Sequence, residues 1–234
     1  MLILSDMKNI IAIIFDALFP FRCVCGKWGE TICSDCFLTI SINKTQLCPI
    51  CKKISENGKT CSSCRGKSFL TGVMIFGEHE GVLKDLIWQY KYEFIRNLSE
   101  PLAQLLEERF GPFVKKKKFL ITAVPSSKKR LRWRGFNQSA LLGQSLADKT
   151  NLSFENLLIR LGQNKSQVGL SKKLRASNIE GKIDQNKNIS VIAKSRRILI
   201  VDDVYTTGAT LEECAKILRQ MGATEVWGMV LSRD

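Results

Sequence analysis

The sequence predicts an α/β protein: a parallel sheet flanked by helices, preceded by a small cysteine-rich module. Three observations carry this reading. Eight of the nine cysteines lie between Cys23 and Cys64. From about residue 70 onward, strand-like apolar runs alternate with helical patterns. Two of those runs, 119–124 and 197–201, are almost continuously apolar, as strands buried on both faces are.

Composition divides the 234 residues into a helix at 1–19, the cysteine module at 20–66 and the α/β domain at 70–234. Ile10, Ile13, Ile14, Ala17 and Leu18 fall at helical spacing. That stretch is too short to span a bilayer and Asp16 interrupts it, so it reads as a core-packing helix. With no transmembrane segment and no export signal in view, the expected location is the cytoplasm. In the domain, 71–76 reads as a strand, and 82–92 and 98–109 as helices. Residues 115–118, all lysine, read as a solvated linker. A strand at 119–124 and a helix at 139–149 follow. Residues 160–190 are polar with little periodicity and read as a mobile loop. A strand at 197–201, a helix at 210–221 closed by Gly222, and a last strand at 225–231 complete the order.

Lys and Arg number 36 against 22 Asp and Glu, a net charge of +14. Such a balance suits anionic partners: nucleic acid, phosphorylated metabolites or anionic membrane surfaces.

The cysteines are spaced Cys23-x-Cys25, Cys33-x-x-Cys36, Cys48-x-x-Cys51 and Cys61-x-x-Cys64. A C-x-x-C knuckle points two thiolates at one ion, and two knuckles complete a tetrahedral zinc site. A segment this small cannot bury enough core to fold unaided. A structural Zn²⁺ supplies roughly 10–16 kcal/mol of apparent binding energy. Disulfides or free thiols are the alternative, and a reducing compartment argues against the former. The expected sites are Cys23, Cys25, Cys33 and Cys36, and Cys48, Cys51, Cys61 and Cys64. Only Val24 separates the first pair, so that site is expected to be the irregular one. Cys214 lies on the apolar face of its helix and reads as core.

The most informative stretch is I-L-I-V-D-D-V-Y-T-T-G-A-T at 198–210. An apolar strand runs into two acids, a Thr/Gly turn and a helix. Amides of the turn and the helix N-terminus form an anion cradle. Thr206, Thr207 and Thr210 add hydroxyls, and Gly208 allows close approach of a phosphate. A carboxylate at the strand end can accept from ribose hydroxyls. Acid plus cradle together spell a ribose 5-phosphate. No G-x-x-x-x-G-K-[ST] or G-x-G-x-x-G is present, which disfavours ATP P-loops and dinucleotide folds. On this reading the bend faces solvent and its carboxylates are free of internal ion pairs.

This stretch resembles the PRPP-binding motif of type I phosphoribosyltransferases. Residues 124–138, V-P-S-S-K-K-R-L-R-W-R-G-F-N-Q, resemble the V-P…R-x-R-G-F-N-Q signature of ComF-type proteins. Residues 167–175 with Asn178 resemble that family's Q-x-x-L-S-x-x-x-R-x-x-N loop, and Leu18-Phe-Pro before the first cysteine also fits. The departures are the short first knuckle, Ser127 where many relatives carry His, Asn164 for Thr and Leu174 for Glu.

The resemblance implies a phosphoribosyltransferase-like sheet behind a double zinc ribbon. It implies that Asp202 and Asp203 hold ribose hydroxyls or bound Mg²⁺, and that Tyr205, Thr206, Thr207, Gly208, Ala209 and Thr210 hold the 5-phosphate. The turn at Ser126, Ser127, Lys128 and Lys129 would meet pyrophosphate. Lys128, Lys129, Arg130, Arg132 and Arg134 could neutralise pyrophosphate or a DNA backbone, with Trp133 either stacking on a base or packing under the turn. Phe136 is expected to pack. Asn137 and Gln138 are expected to cap the next helix, and His79 to be a surface residue. Gln167 and Arg175 belong to the mobile loop. The implied partners are PRPP, single-stranded DNA and proteins of a DNA-uptake machinery. The implied functions are an uptake accessory in natural transformation, an active phosphoribosyltransferase of unknown acceptor, or an inactive PRPP sensor.

Overall fold

The computed structural model describes residues 22–93, 95–161 and 182–234. The expected helix at 1–19 and the loop residues Gln167 and Arg175 lie outside them. In chain order the elements are α1 (Ser34–Leu38), β1 (Gly72–Glu78), α2 (Gly81–Trp88), α3 (Ser99–Lys117), β2 (Leu120–Ala123), α4 (Lys128–Arg134) and α5 (Gln138–Thr150). They continue with β3 (Leu158–Arg160), β4 (Ile183–Gln185), β5 (Arg197–Tyr205), α6 (Ala209–Gln220) and β6 (Glu225–Arg233).

Four strands form a parallel sheet in the order β1-β6-β5-β2. Their side chains alternate between two faces, as the period of a strand requires. Ile198, Ile200, Val226 and Val230 pack with Leu211, Cys214, Ala215 and Leu218 of α6. Leu199, Val201, Trp227 and Met229 pack with Leu102, Leu106 and Phe110 of α3 and Leu142 and Leu146 of α5. Trp227 anchors the second layer, 5.0 Å edge-on to Phe113. Truncating so large a buried ring costs about 3–5 kcal/mol.

Three expectations need correction. The lysines at 115–117 are not a linker but the last turn of α3, which Lys118 ends in the left-handed region at φ 52. Buried Val114 holds that turn to the core, Lys115 pairs with Glu107 at 2.7 Å and Lys117 with Glu225 at 3.1 Å. Cations at a helix C-terminus are favourable. Within 160–190, Ile183–Gln185 is not loop: it pairs antiparallel with Leu158–Arg160 and buries Ile183. Third, β5 does not stop at residue 201. It carries Asp202 and Val204 in register with Val230 and Ser232 of β6.

One topological feature positions the site. After β2, the chain runs through α5 and returns beside β2's outer edge, where Ile121 bridges Phe154 in parallel. After β5, it runs through α6 to β6 on the other side. The two crossovers leave in opposite directions, and their helices pack on opposite faces. The carboxyl ends of β2 and β5 therefore flank a topological switch point, where open α/β sheets hold ligands.

The cysteine module covers the free edge of β1. The amide of buried Gln46 clamps Ile75, donating to its carbonyl and accepting from its N–H, both at 2.8 Å. Ile42 and Lys59 add antiparallel bridges to Gly77 and Gly72. Gly58, at φ 74, sits so close to Val73 that a Cβ would overlap its carbonyl oxygen.

Candidate functional site

The switch point brings both sequence motifs to one crevice. Its first bank is the end of β5 and the start of α6. Asp202 is partly buried and accepts a hydrogen bond from Ser139 Oγ at 2.7 Å. Burial, then the charge of Asp203, raise its pKa to about 7, against the hydrogen bond from Ser139. Asp203 Oδ1 lies 2.8 Å from Lys91 Nζ, with both side chains mostly enclosed. The expectation of free carboxylates is thus not met: one is paired to a cation and the other to a hydroxyl. The reason is local. α2 ends in a π-helical turn, Gln89–Glu93, which points Lys91 into the crevice. Tyr90 in the same turn is buried and donates to Gln138 O at 2.8 Å.

Beyond the acids the chain opens. Thr206 and Thr207 are exposed, as expected of the bend. Gly208 stands at φ 80 as the N-cap of α6, and Ala209 N–H donates to Thr207 Oγ1. Tyr205 does not join this open surface. It is 5% exposed, with its hydroxyl beneath Gly208.

The second bank follows β2. Ser126 Oγ donates to Asn137 Oδ1 at 2.9 Å, while Asn137 Nδ2 donates to Val124 O at 3.0 Å. Asn137 therefore ties the two ends of the motif together rather than capping α5 with its side chain. The expected turn over Lys128 and Lys129 is helical: Ser127 Oγ accepts from Arg130 N–H and caps α4, and Gly135 at φ 76 ends it. This helix carries Lys128, Lys129, Arg130, Arg132, Trp133 and Arg134. A cavity of about 480 Å³ lies against it, lined also by Arg160 and Lys182. Burial, then the charge of Arg130, lower the pKa of Arg160.

Alongside α4 runs a row of exposed rings. Trp88 is 5.8 Å from Tyr92, and Tyr92 is 6.3 Å from Trp133. The Arg134 guanidinium lies 5.3 Å over both Tyr92 and Trp133. Phe136 is buried against Tyr90, as expected. A larger groove, about 980 Å³, opens between Thr31 and the helices α3 and α5. It mixes Glu100, Asp148, Lys149 and Arg96 and lacks a phosphate-binding turn, so the crevice is the better candidate.

The cysteines gather as their spacing implies. Cys23, Cys25, Cys33 and Cys36 form one group and Cys48, Cys51, Cys61 and Cys64 another, with sulfurs within 4.8 Å of one another. The short first knuckle does not prevent the first group from closing. Sulfurs of a zinc tetrathiolate stand about 3.8 Å apart given Zn–S of about 2.3 Å. Here Cys25 and Cys33, and Cys51 and Cys61, are 3.6 Å apart. Hydrogen bonding to Ser63 and neighbouring thiols lowers Cys61 to about 6, while Cys61's own bond and burial push Cys64 to about 12. Four thiols so close cannot all ionise without a dication, and both groups fit one.

The chain is 30% identical to competence protein F of Haemophilus influenzae over 90% of its length and 97% of that protein. It belongs to the competence protein F (ComF) family. Competence protein ComFC of Bacillus subtilis is 26% identical over 89% of this chain and 86% of its own. The DNA utilization protein YhgH of Escherichia coli K12 is 29% identical over 86% and 90%. No family profile matches the chain. Among solved structures it is similar to a Bacillus subtilis glutamine PRPP amidotransferase, at 18% identity and TM-score 0.39, over 62% of this chain and 30% of that one. A Staphylococcus aureus hypoxanthine phosphoribosyltransferase gives 16% identity and TM-score 0.37, over 61% and 64%.

In this ComF protein the crevice also recruits residues that the sequence did not single out: Lys91, Ser139, Trp88, Tyr92, Arg160 and Lys182. Lys91 stands among aromatic residues at a helix end, a signal too weak to assign a partner. His79 is not a plain surface residue: it is half-buried and 2.8 Å from Ser232 Oγ. Among the described residues, no helix is long and apolar enough to cross a membrane.

Proposed function

We propose that the crevice binds a phosphorylated ribose such as PRPP, and that α4 with its row of rings holds single-stranded DNA beside it. The observation that carries the first half is the Thr206–Thr207–Gly208 bend, with both threonines exposed, at the N-terminus of α6 and at the switch point. A 5-phosphate there would meet threonine hydroxyls and the amides at the start of α6, with Ala209 N–H exchanging Thr207 Oγ1 for a phosphate oxygen. The acids take an altered role. A carboxylate offers about four acceptor positions, so Asp203 could receive a ribose hydroxyl while Lys91 keeps Oδ1. The pair offers no ready cation cage, so Mg²⁺ would arrive on the pyrophosphate oxygens of the ligand. Ser126, Ser127 and the cations of α4 would face that pyrophosphate.

The second half is favoured by the rings. Bases stack on Trp, Tyr and Arg planes, each worth about 1–3 kcal/mol, while neighbouring cations meet phosphates. Kinship with competence and DNA utilization proteins supports a role in DNA uptake, with partners in that machinery. The tetrads would hold structural Zn²⁺. A reducing cytoplasm is the compartment that keeps such thiols available. The enzymatic alternative, transfer of the phosphoribosyl group to an unknown acceptor, requires pyrophosphate release from PRPP.

The test is calorimetry with PRPP and Mg²⁺. Wild type should bind, and Thr206→Val with Thr207→Val should lose about tenfold or more. Equal binding by the variant would remove the bend from the site. Pyrophosphate release across an acceptor panel would establish catalysis.

A further inference from the structure

The knuckle of the second cysteine group reaches Tyr205, the residue beneath the Thr206–Gly208 bend. In the turn between Cys48 and Lys53, Lys52 takes the left-handed conformation at φ 61. Cys48 N–H donates to Lys53 O at 2.8 Å and Lys52 N–H to Cys48 O at 3.0 Å, so the knuckle itself sets the direction of Lys52. Lys52 Nζ then lies 5.3 Å from the centre of the Tyr205 ring and donates to Pro49 O at 2.8 Å. Tyr205 also supports the bend. A Cβ placed on Gly208 would collide with the Tyr205 hydroxyl and with the ring carbons Cζ and Cε2, so the ring itself lies beneath Gly208.

A second link lies one turn further on. Glu212 of α6 accepts from Phe69 N–H at 2.5 Å and Ser68 Oγ at 2.8 Å, just past the helical turn that carries Cys64. The first cysteine group has different neighbours: Val24, Ile32 and Val82.

From this geometry we infer that Tyr205 and Lys52 are positioning residues coupling the second cysteine group to the bend, so that each favours occupancy of the other. A metal in Cys48, Cys51, Cys61 and Cys64 fixes the knuckle, the knuckle fixes Lys52 over Tyr205, and Tyr205 fixes Gly208. The inference rests on the reading that the bend binds a phosphate. Coupling of this kind is reciprocal: a phosphate on the bend must retain metal in the second group by the same factor.

The experiment uses zinc-loaded full-length protein and ribose 5-phosphate as the probe. Zinc transfer to a coloured chelator is followed with and without the sugar phosphate, and calorimetry measures its binding. One of the two zinc ions should be held about fivefold or more tightly when the sugar phosphate is bound, and the other should not change. Lys52→Met should abolish that protection and weaken sugar-phosphate binding by the same factor with zinc content unchanged. Tyr205→Phe, which keeps the ring, should preserve both. Binding of ribose 5-phosphate to wild type with both zinc ions released as before would overturn the coupling alone. No binding to wild type would overturn both the coupling and the reading beneath it.

Discussion

The two banks of the crevice are built from opposite chemistry. On the β5 bank the charges are enclosed and already partnered, Asp203 by Lys91 and Asp202 by Ser139, and what remains open is the threonine pair of the bend. On the β2 bank the charges are open: Lys128, Lys129, Arg130 and Arg132 all lie in solvent, with no acid in α4. Enclosed acids beside an open, hydroxyl-bearing bend suit one small ligand of fixed shape. Exposed cations beside a row of exposed rings suit a polymer with repeating charge. One crevice can thus keep ribose 5-phosphate on the β5 bank and nucleic acid on the β2 bank, so that either can be damaged alone, while the pyrophosphate of PRPP would meet both.

The largest effect is expected on the open bank. Lys129→Glu with Arg132→Glu should cut affinity for an oligothymidylate about 100-fold at low salt and flatten its salt dependence. Fluorescence anisotropy reads this, while ribose 5-phosphate binding should stay within about twofold. Parallel loss of both ligands would merge the banks.

A smaller effect is expected on the enclosed bank. The folded pKa of Asp202, about 7, lies above its ordinary value of 3.8. Its proton therefore stabilises the fold fully below about pH 4, and that stability is lost as pH rises through 7. Asp202→Asn keeps an acceptor for Ser139 without the charge. It should stabilise the protein at pH 8 by on the order of 2 kcal/mol, read as a higher melting temperature, with the gain fading by pH 4. A pH-independent change would show that Asp202 is ionised throughout.

Alanine at Trp133 alone should weaken oligothymidylate binding about tenfold with its salt slope intact, since one stacking platform is lost and charge is kept. A changed slope would mean that the ring only positions α4. Smallest is Ser139→Ala, which removes one hydrogen bond from a carboxylate and should cost about 1 kcal/mol at pH 8 in urea unfolding. Loss of oligothymidylate binding in that variant would tie the banks together.

The β5 bank was the more legible because its parts are consecutive: strand, acids, bend and helix follow one another in thirteen residues. The cysteine groups were legible for the same reason, since knuckle spacing is local. Lys91 was not. Its place depends on a π-turn and on packing of α2 against the sheet, neither of which leaves a periodic signal. The ring row was half legible: Trp133 lies within a motif, but Trp88 and Tyr92 reach it only through tertiary structure. The lysines of α3 and the strand at 183–185 were misread because propensity and polarity yield to burial of Val114 and Ile183.

The most direct test is a crystal structure of the protein grown with PRPP and Mg²⁺. The 5-phosphate should lie on the amides of Thr207 to Thr210, and the pyrophosphate should face Ser126 to Lys129. Phosphate density in the groove by Thr31, or a bend left empty at saturating ligand, would contradict it.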